Sequence, residues 1–505
     1  MKTTPHRPIS KAIHKWAGLL ISILMLVFCI SGVILNHRSL FTTCSVSRSL
    51  LPSEYHIENY NNGIIKGTLR TANGKLLAFG NSGVWLTDSL FSSFADYNAG
   101  LPEGIDSRNI RNITATNDGT LWCATQFGVY RHNGKEWHEM KLPGCRERVA
   151  DITLTGDSTS VVVLTRSAVY PLAHNGFKRL ELQAPAGYEK NVSMYKTLWM
   201  LHSGELFGLP GRLIVDCIAV ILAFLSITGI ALFILPYSLR TTIRTNLKAT
   251  LGRTFKWNFR WHDRIGYATI ILTVIVAFTG MCLRPPLMIP FVMLKTTPLA
   301  ATTLDSDNAW HDKLRAIRWD SANSRWLLST SEGFFISDRT FEGTPMKVKQ
   351  KNVPPVSPMG VTVFEPRTEG SWLIGSFSGM FIWNPADDTL KDYFTGKDHE
   401  APKSMRPISD HLVAGYSKDI AGHEVTFDYS KGASMKLPAS DEIERQPMSL
   451  WNFALELHVG RCYTPVLGPF SSLFVFLAGA ITITVLLTGL TLHRRHRPHN
   501  QKPTQ

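Results

Sequence analysis

No stretch of the sequence reads GxSxG, HExxH, a phosphate-binding P-loop, or a GxGxxG following a strand. Hydrolase, zinc-protease and nucleotide-binding chemistries therefore have no motif to rest on. Seven cysteines are scattered over 505 residues without a CxxC or a zinc-like spacing, which removes zinc-ribbon and thioredoxin-type readings. Cys29 and Cys217 fall within apolar runs as small packers. Cys123 and Cys145 share one stretch, and either a disulfide or two free thiols is compatible with their placement. Charged residues make up only 18% of the chain. No small-x-small cleavage site follows the first apolar run, so that run is expected to stay as an uncleaved anchor.

Long apolar runs, by contrast, are plentiful. Four of them reach the roughly 20 residues needed to cross a bilayer: about 16–35, 213–235, 265–283 and 467–492. Lys2, Arg7, Lys11 and Lys15 precede the first; Arg240, Arg244, Lys248, Arg253, Lys256, Arg260 and Arg264 join the second to the third; Arg494, Arg495, Arg497 and Lys502 follow the fourth. By the positive-inside rule these short basic segments are cytoplasmic, so both termini are inside and two long loops lie outside. The formal charge of +14 is explained by this topology, and no nucleic acid partner is expected.

The expected layout is a cytoplasmic amino terminus with span one (1–37), an outer half (38–192), an interfacial helix with span two (193–237), a basic cytoplasmic loop (238–261), span three (262–284), a second outer half (285–448), an interfacial helix with span four (449–493) and a cytoplasmic tail (494–505).

The chain repeats itself. HKWAGLLISILMLVFCISG (14–32) and HDRIGYATIILTVIVAFTG (262–280) share His, three residues, Gly, thirteen residues, then Ser/Thr-Gly. SMYKTLWMLHSGELFGLP (193–210) and SLWNFALELHVGRCYTP (449–465) share Ser, an aromatic, Leu-His-x-Gly and a proline. Thr228-Gly229 and Thr488-Gly489 recur in spans two and four. Two copies of span, loop, span that both start inside are parallel repeats about an axis along the membrane normal.

The loops repeat on a shorter scale. GKLLAFGNSGVWL (74–86), GTLWCATQFGVYR (119–131), TSVVVLTRSAVYP (159–171), SRWLLSTSEGFFIS (324–337), GSWLIGSFSGMFIW (370–383) and a poorer AGYSKDIAGHEVTFDY (414–429) each join a β-rich run to an aromatic strand through a small polar break. Turn signals such as DGT (118–120) and HNG (132–134) fit hairpins, and a spacing of about 40–46 residues fits a four-stranded propeller blade. The fold class expected is thus an internally duplicated α-helical membrane bundle of four transmembrane helices plus an all-β propeller-like extracytoplasmic domain. Six blades shared between the loops would remove open edges; two separate three-bladed β units are the alternative. Trp85, Trp122, Trp137, Trp372 and Trp383 either line a binding surface or fill blade cores.

Duplication and topology sort the histidines by depth. His14 and His262 fall at the inner ends of spans one and three, and His202 and His458 at the outer ends of spans two and four. Two opposed imidazoles suit axial ligation of a haem iron better than structural zinc, which takes four protein ligands. A single histidine at such a depth also fits a polar residue at the headgroup level; four in two symmetry-matched pairs favour ligation. Gly32 and Gly280 at the outer level, with Gly229 and Gly489 at the inner, would permit close approach of a flat macrocycle or ordinary helix packing. His37 follows span one without a counterpart in the second copy and is an alternative outer ligand. His493 and His496 add to the basic flank in HRRHRPH. Asp216, an acid in span two, is flagged as functional or pairs with Arg212 one turn away.

HKWAG…SG, LHSGELFG, WHDRIG…TG and LHVGRCY…TG together resemble the PepSY-associated transmembrane family of bacterial membrane proteins, over roughly 170 residues of spans and flanks. Members include siderophore-linked ferric reductases with two haems, one near each membrane face. The resemblance implies a bacterial inner membrane protein with a large periplasmic domain, and two b-type haems with His14, His202, His262 and His458 matching family histidines. The outer loops depart from the family, with no clear PepSY module. The function expected is electron transfer across the bilayer from an unidentified cytoplasmic donor to a periplasmic acceptor such as a ferric chelate, a possible ferric-chelate reductase activity; the cytoplasmic segments are too short for a flavin or nicotinamide domain of their own. The alternative is a non-redox anchored module whose propeller binds a periplasmic ligand or partner protein. A transporter fits less well, because no span is broken at its midplane.

Overall fold

The computed structural model describes residues 9–400 and 409–496 apart from 356 and 358; Lys2, Arg7, Arg497 and Lys502 of the basic ends lie outside the described residues. The chain divides into two compact units. One comprises Met1–Phe41, Lys190–Asp305 and Trp451–Gln505, the other Thr42–Glu189 and Ser306–Leu450.

The first unit is a helical bundle with four helices long and apolar enough to cross a membrane. Span one is Ile9–Asn36, span two Gly208–Thr241, span three Thr245–Cys282 and span four Ser471–His496. Each touches two others, in the cyclic order one, two, three, four. Ser22, Ser31, Ser226, Thr228, Thr273, Thr279 and Thr482 are buried, while Leu20, Ile23, Val220 and Ile271 are exposed. Small hydroxyl residues inside and large apolar ones outside are the pattern expected where lipid is the solvent.

Span three differs from its expected limits. The stretch 238–261, expected as a basic loop, is helical to Thr241 as the end of span two and again from Thr245 onward. Lys and Arg break the hydropathy there but are good helix formers, so the helix runs through them. The segment 285–305, expected to belong with the second outer half, stays with the bundle instead. Its strand Lys295–Thr296 pairs with Val192–Ser193.

Two short helices, Met194–Ser203 and Leu450–His458, precede spans two and four. Each Leu-His-x-Gly sits at the helix end: the histidine lies in the last turn, and Gly204 (φ 79°) or Gly460 (φ 82°) follows in the left-handed region. That is the usual glycine stop. At Gly204 a side chain would also meet the Gly211 carbonyl oxygen 2.3 Å away.

The second unit is β-rich. Its sheets follow the chain: the first is built from 67–96, the second from 110–140, the third from 149–177, the fourth from 314–347 and the fifth from 363–392, each of four antiparallel strands in consecutive order. A sixth group, Val413–Ile420, His423–Asp428 and Gly432–Ala433, adds three strands. It joins the first sheet through a parallel bridge from Gly67 to Tyr416, giving one seven-stranded sheet. The second strands Leu76–Gly80, Leu121–Thr125, Val161–Thr165 and Trp372–Ser376 are buried at every position. A strand covered on both faces reads as a continuous apolar run, not an alternating one.

Apolar clusters join neighbouring sheets in turn. Val84 of the first meets Ile113 of the second, Trp122 of the second meets Val163 of the third, and Leu164 of the third meets Ile317 of the fourth. Phe334 of the fourth then meets Phe364 of the fifth, Leu373 of the fifth meets Val413 of the sixth, and Val425 of the sixth returns to Trp85 of the first. The two loops therefore form one unit, not two separate β units. Trp85, Trp122, Trp137, Trp372 and Trp383 are all buried, so they fill this core and do not line an exposed binding surface.

Cys123 is buried among the first and second sheets, Cys145 packs against the second and third, and all seven cysteines are free. Unfolding the purified protein without reductant should therefore expose seven thiols to maleimide, counted by intact mass. Five labels would place a disulfide in the chain and contradict this arrangement.

Candidate functional site

At one level of the bundle His14 of span one faces His262 of span three, with ring centres 6.1 Å apart. At the other level His202, ending the helix before span two, faces His458, ending the helix before span four, again with ring centres 6.1 Å apart. His14 and Gly32 are 18 residues apart on span one, as are His262 and Gly280 on span three. At about 1.5 Å per helical residue the two levels are separated by roughly 27 Å.

All four rings are held by the same device. His14 Nδ1 donates to the Val485 carbonyl at 2.9 Å with Thr488 Oγ1 at 3.4 Å. His202 Nδ1 donates to the Val276 carbonyl at 3.0 Å with Thr279 Oγ1 at 3.4 Å. His262 Nδ1 lies 2.9 Å from Thr228 Oγ1, and His458 Nδ1 lies 3.0 Å from Ser31 Oγ. Each hydroxyl in turn donates to the carbonyl four residues back in its own helix: Ser31 to Val27 at 2.6 Å, and Thr228, Thr279 and Thr488 to Phe224, Ile275 and Thr484 at 2.8 Å. A carbonyl only accepts, and a hydroxyl that has given its proton away can only accept from the ring. The proton therefore sits on Nδ1 in every case, which leaves the Nε2 lone pair of the neutral ring for a metal. None of the four Nε2 atoms makes a hydrogen bond among the described residues.

The residue after each hydroxyl is glycine, and each glycine lies against the ring that the hydroxyl holds. A Cβ on Gly280 would come 2.7 Å from His202 Cε1, on Gly489 3.0 Å from His14 Cε1, on Gly32 3.4 Å from His458 Cε1 and on Gly229 3.5 Å from His262 Cε1. The sequence suggested that these glycines make room for a macrocycle or for helix packing; here the room is taken by imidazole. Ser31, Thr228, Thr279 and Thr488 were not picked out as functional from sequence. The signal was their recurrence before glycine at one place in every span.

With metal–nitrogen bonds of about 2 Å and the ring centre about 1 Å beyond each nitrogen, two imidazoles on opposite sides of one metal atom have centres about 6 Å apart. Both pairs match this spacing. Among the described residues no group of three or more His, Cys, Asp or Glu side chains is placed to hold a metal ion, so the donor set fits a cofactor that needs two axial ligands and brings its own equatorial ones.

The remaining candidates lie elsewhere. His37 Nε2 is bound to Asp216 Oδ2 at 2.6 Å, so it is not turned toward the His202–His458 pair as an alternative ligand. Asp216 also accepts from Asn36 at 3.3 Å, and among the described residues no pairing with Arg212 forms. His493 meets Asp263 at 2.9 Å and stacks on Tyr267.

The four glycine contacts set a graded expectation. Gly280→Ala should cost most, on the order of 1–3 kcal/mol for overpacking; Gly489→Ala should cost less, and Gly32→Ala and Gly229→Ala least. Thermal unfolding of the four variants in one detergent checks the order. Equal loss at all four would contradict the close approach of ring to backbone.

The family model for the PepSY-associated TM region matches residues 14–235, a stretch that holds His14 and His202 but not their partners. No curated protein matches the chain. Among solved structures it is similar to the extracellular domain of a one-component system from B. thetaiotaomicron, at 9% identity and a TM-score of 0.37, covering 74% of this chain and 33% of that one. It is also similar to the extracellular domain of a hybrid two-component system from the same organism, at 9% identity and a TM-score of 0.32, covering 75% and 40%. The chain thus spans well under half the length of either.

Proposed function

We propose that this multi-pass membrane protein, whose residues 14–235 match the model of the PepSY-associated TM region, is a di-haem electron carrier that takes electrons from a cytoplasmic donor to a periplasmic acceptor such as a ferric chelate. The single observation that carries this is the repeated pair geometry: two sets of facing imidazoles, each 6.1 Å between centres, at opposite ends of one bundle. His14 and His262 would hold the inner haem, and His202 and His458 the outer. Haem, when bound, supplies reversible one-electron chemistry at a potential set by its axial ligands and surroundings.

The chain's own residues supply the rest. The hydroxyl and carbonyl acceptors keep each Nδ1 protonated, orient the ring and raise the basicity of Nε2. Two stations suit a hydrocarbon layer about 30 Å thick, because electron tunnelling weakens steeply with distance and the two levels lie at its two edges. The basic residues that flank the spans support an inner-membrane topology with both termini in the cytoplasm. For the β-rich unit we propose a closed six-bladed propeller on the periplasmic side. The support is the cyclic packing of six sheets and the bridge from Gly67 to Tyr416 that joins the last to the first.

The test uses the full chain purified in detergent from haem-replete cells. His14→Ala and His202→Ala should each remove about one haem equivalent, read from the Soret absorbance per chain, with unfolding temperature as the check on folding. A colourless wild type would refute the proposal and favour an anchored β module that binds a ligand without redox chemistry.

A further inference from the structure

The two copies of the repeat share one more hydrogen bond at the His202–His458 pair, and they make it with different charges. Asn36 lies 22 residues after His14, and Arg284 lies 22 residues after His262. The Asn36 amide donates to the carbonyl of Ser203, the residue after His202, at 3.1 Å. The Arg284 guanidinium donates to the carbonyl of Val459, the residue after His458, at 2.7 Å. Four residues before each donor stands a glycine, Gly32 or Gly280, that lies against the other ring of the pair. The ends of spans one and three therefore each tie both histidine segments together.

The first copy does this with a neutral amide, and the carboxylate beside it, Asp216, is paired with His37 at 2.6 Å. The second copy does it with a cation. Arg284 forms no ion pair among the described residues, and its buried Nε has no hydrogen-bond partner. Glu456, the carboxylate whose field reaches it, is taken by Arg461, whose Nε donates to both carboxylate oxygens at 3.1 and 2.9 Å. Arg284, Arg461 and Glu456 thus keep one net positive charge beside the residue that follows His458. A neutral amide suffices to hold the matching carbonyl on the other side, so the arginine adds something besides a donor. What it adds is a charge present at any working pH, and away from bulk water such a charge acts over several ångströms.

We propose that Arg284 is a positioning residue of the His202–His458 pair whose charge raises the reduction potential of the haem that this pair would hold. The inference rests on the di-haem reading. Iron between two neutral imidazoles carries one more positive charge in its ferric than in its ferrous state. A fixed cation at the edge of the pair therefore disfavours the ferric state. Arg284 exerts this field while its hydrogen bond to Val459 keeps the His458 segment in place, and the electron is drawn toward the His202–His458 station.

The alternative is an arginine that only holds a carbonyl. Redox potentiometry of the full chain in detergent, followed by haem absorbance, separates the two. Arg284→Gln keeps an amide donor, as Asn36 does, and removes the charge; Arg284→Lys keeps the charge. In Arg284→Gln one of the two midpoints should fall by at least about 59 mV, a tenfold shift in a one-electron equilibrium, while the other stays. The midpoint that falls should be the one missing from His202→Ala. Arg284→Lys should keep both midpoints near wild type. If Arg284→Gln does not fold, Arg284→Asn, which writes the first copy's residue into the second, is read in its place. Unchanged midpoints in the neutral variant, an equal shift of both, or a fall in Arg284→Lys as large as in the neutral variant overturns this proposal and leaves the di-haem reading standing. A chain without haem overturns both.

Discussion

Ser31, Thr228, Thr279 and Thr488 each give their hydroxyl proton to a carbonyl one turn back in their own helix. Each then has only lone pairs to offer the histidine that leans on it. The tautomer of four rings is set by this arrangement, and with it the direction in which four Nε2 lone pairs can act. The glycine that follows each hydroxyl is the steric half of the same device. It lets the imidazole approach a helix backbone closely enough to reach both the hydroxyl and the carbonyl three residues before it. A side chain there would push the ring away and undo the hydrogen bond together with the facing geometry.

The device crosses between the two copies of the repeat. Span one of the first copy holds His458 of the second, and span three of the second copy holds His202 of the first, through Ser31-Gly32 and Thr279-Gly280. Spans two and four hold His262 and His14 in the same exchanged manner. Each facing pair takes one ring from each copy. Neither copy can complete a two-ligand site by itself, which gives a physical reason for the duplication to persist as one chain. The matched family stretch, residues 14–235, contains one ring of each pair.

Much of this was legible in the residues. Four apolar runs gave four spans, because the bilayer sets a minimum length that few soluble helices reach. The two His-x3-Gly frames and the two Leu-His-x-Gly frames picked out the four histidines that the structure brings together in two pairs, because a repeated frame puts matching residues at matching places. The β repeats located the sheets, three from each loop, and even the weak sixth match corresponds to a group with only three strands. Other features were hidden for definite reasons. The helix through Arg253, Lys256 and Arg260 was missed because hydropathy reports burial and not backbone conformation. The role of the glycines was misread because a glycine does not say what lies against it. His37 was kept as a ligand candidate until Asp216, far away in sequence, accounted for its Nε2.

The central claim is that two facing pairs of imidazoles each grip one haem iron. The most direct measurement is the haem content and spin state of the wild-type protein, by pyridine haemochromogen and electron paramagnetic resonance on one detergent preparation. The account predicts two b-type haems per chain, both six-coordinate and low-spin in the ferric state, with no open position for carbon monoxide in the ferrous state. One haem per chain, a high-spin signal, or no haem at all would contradict it.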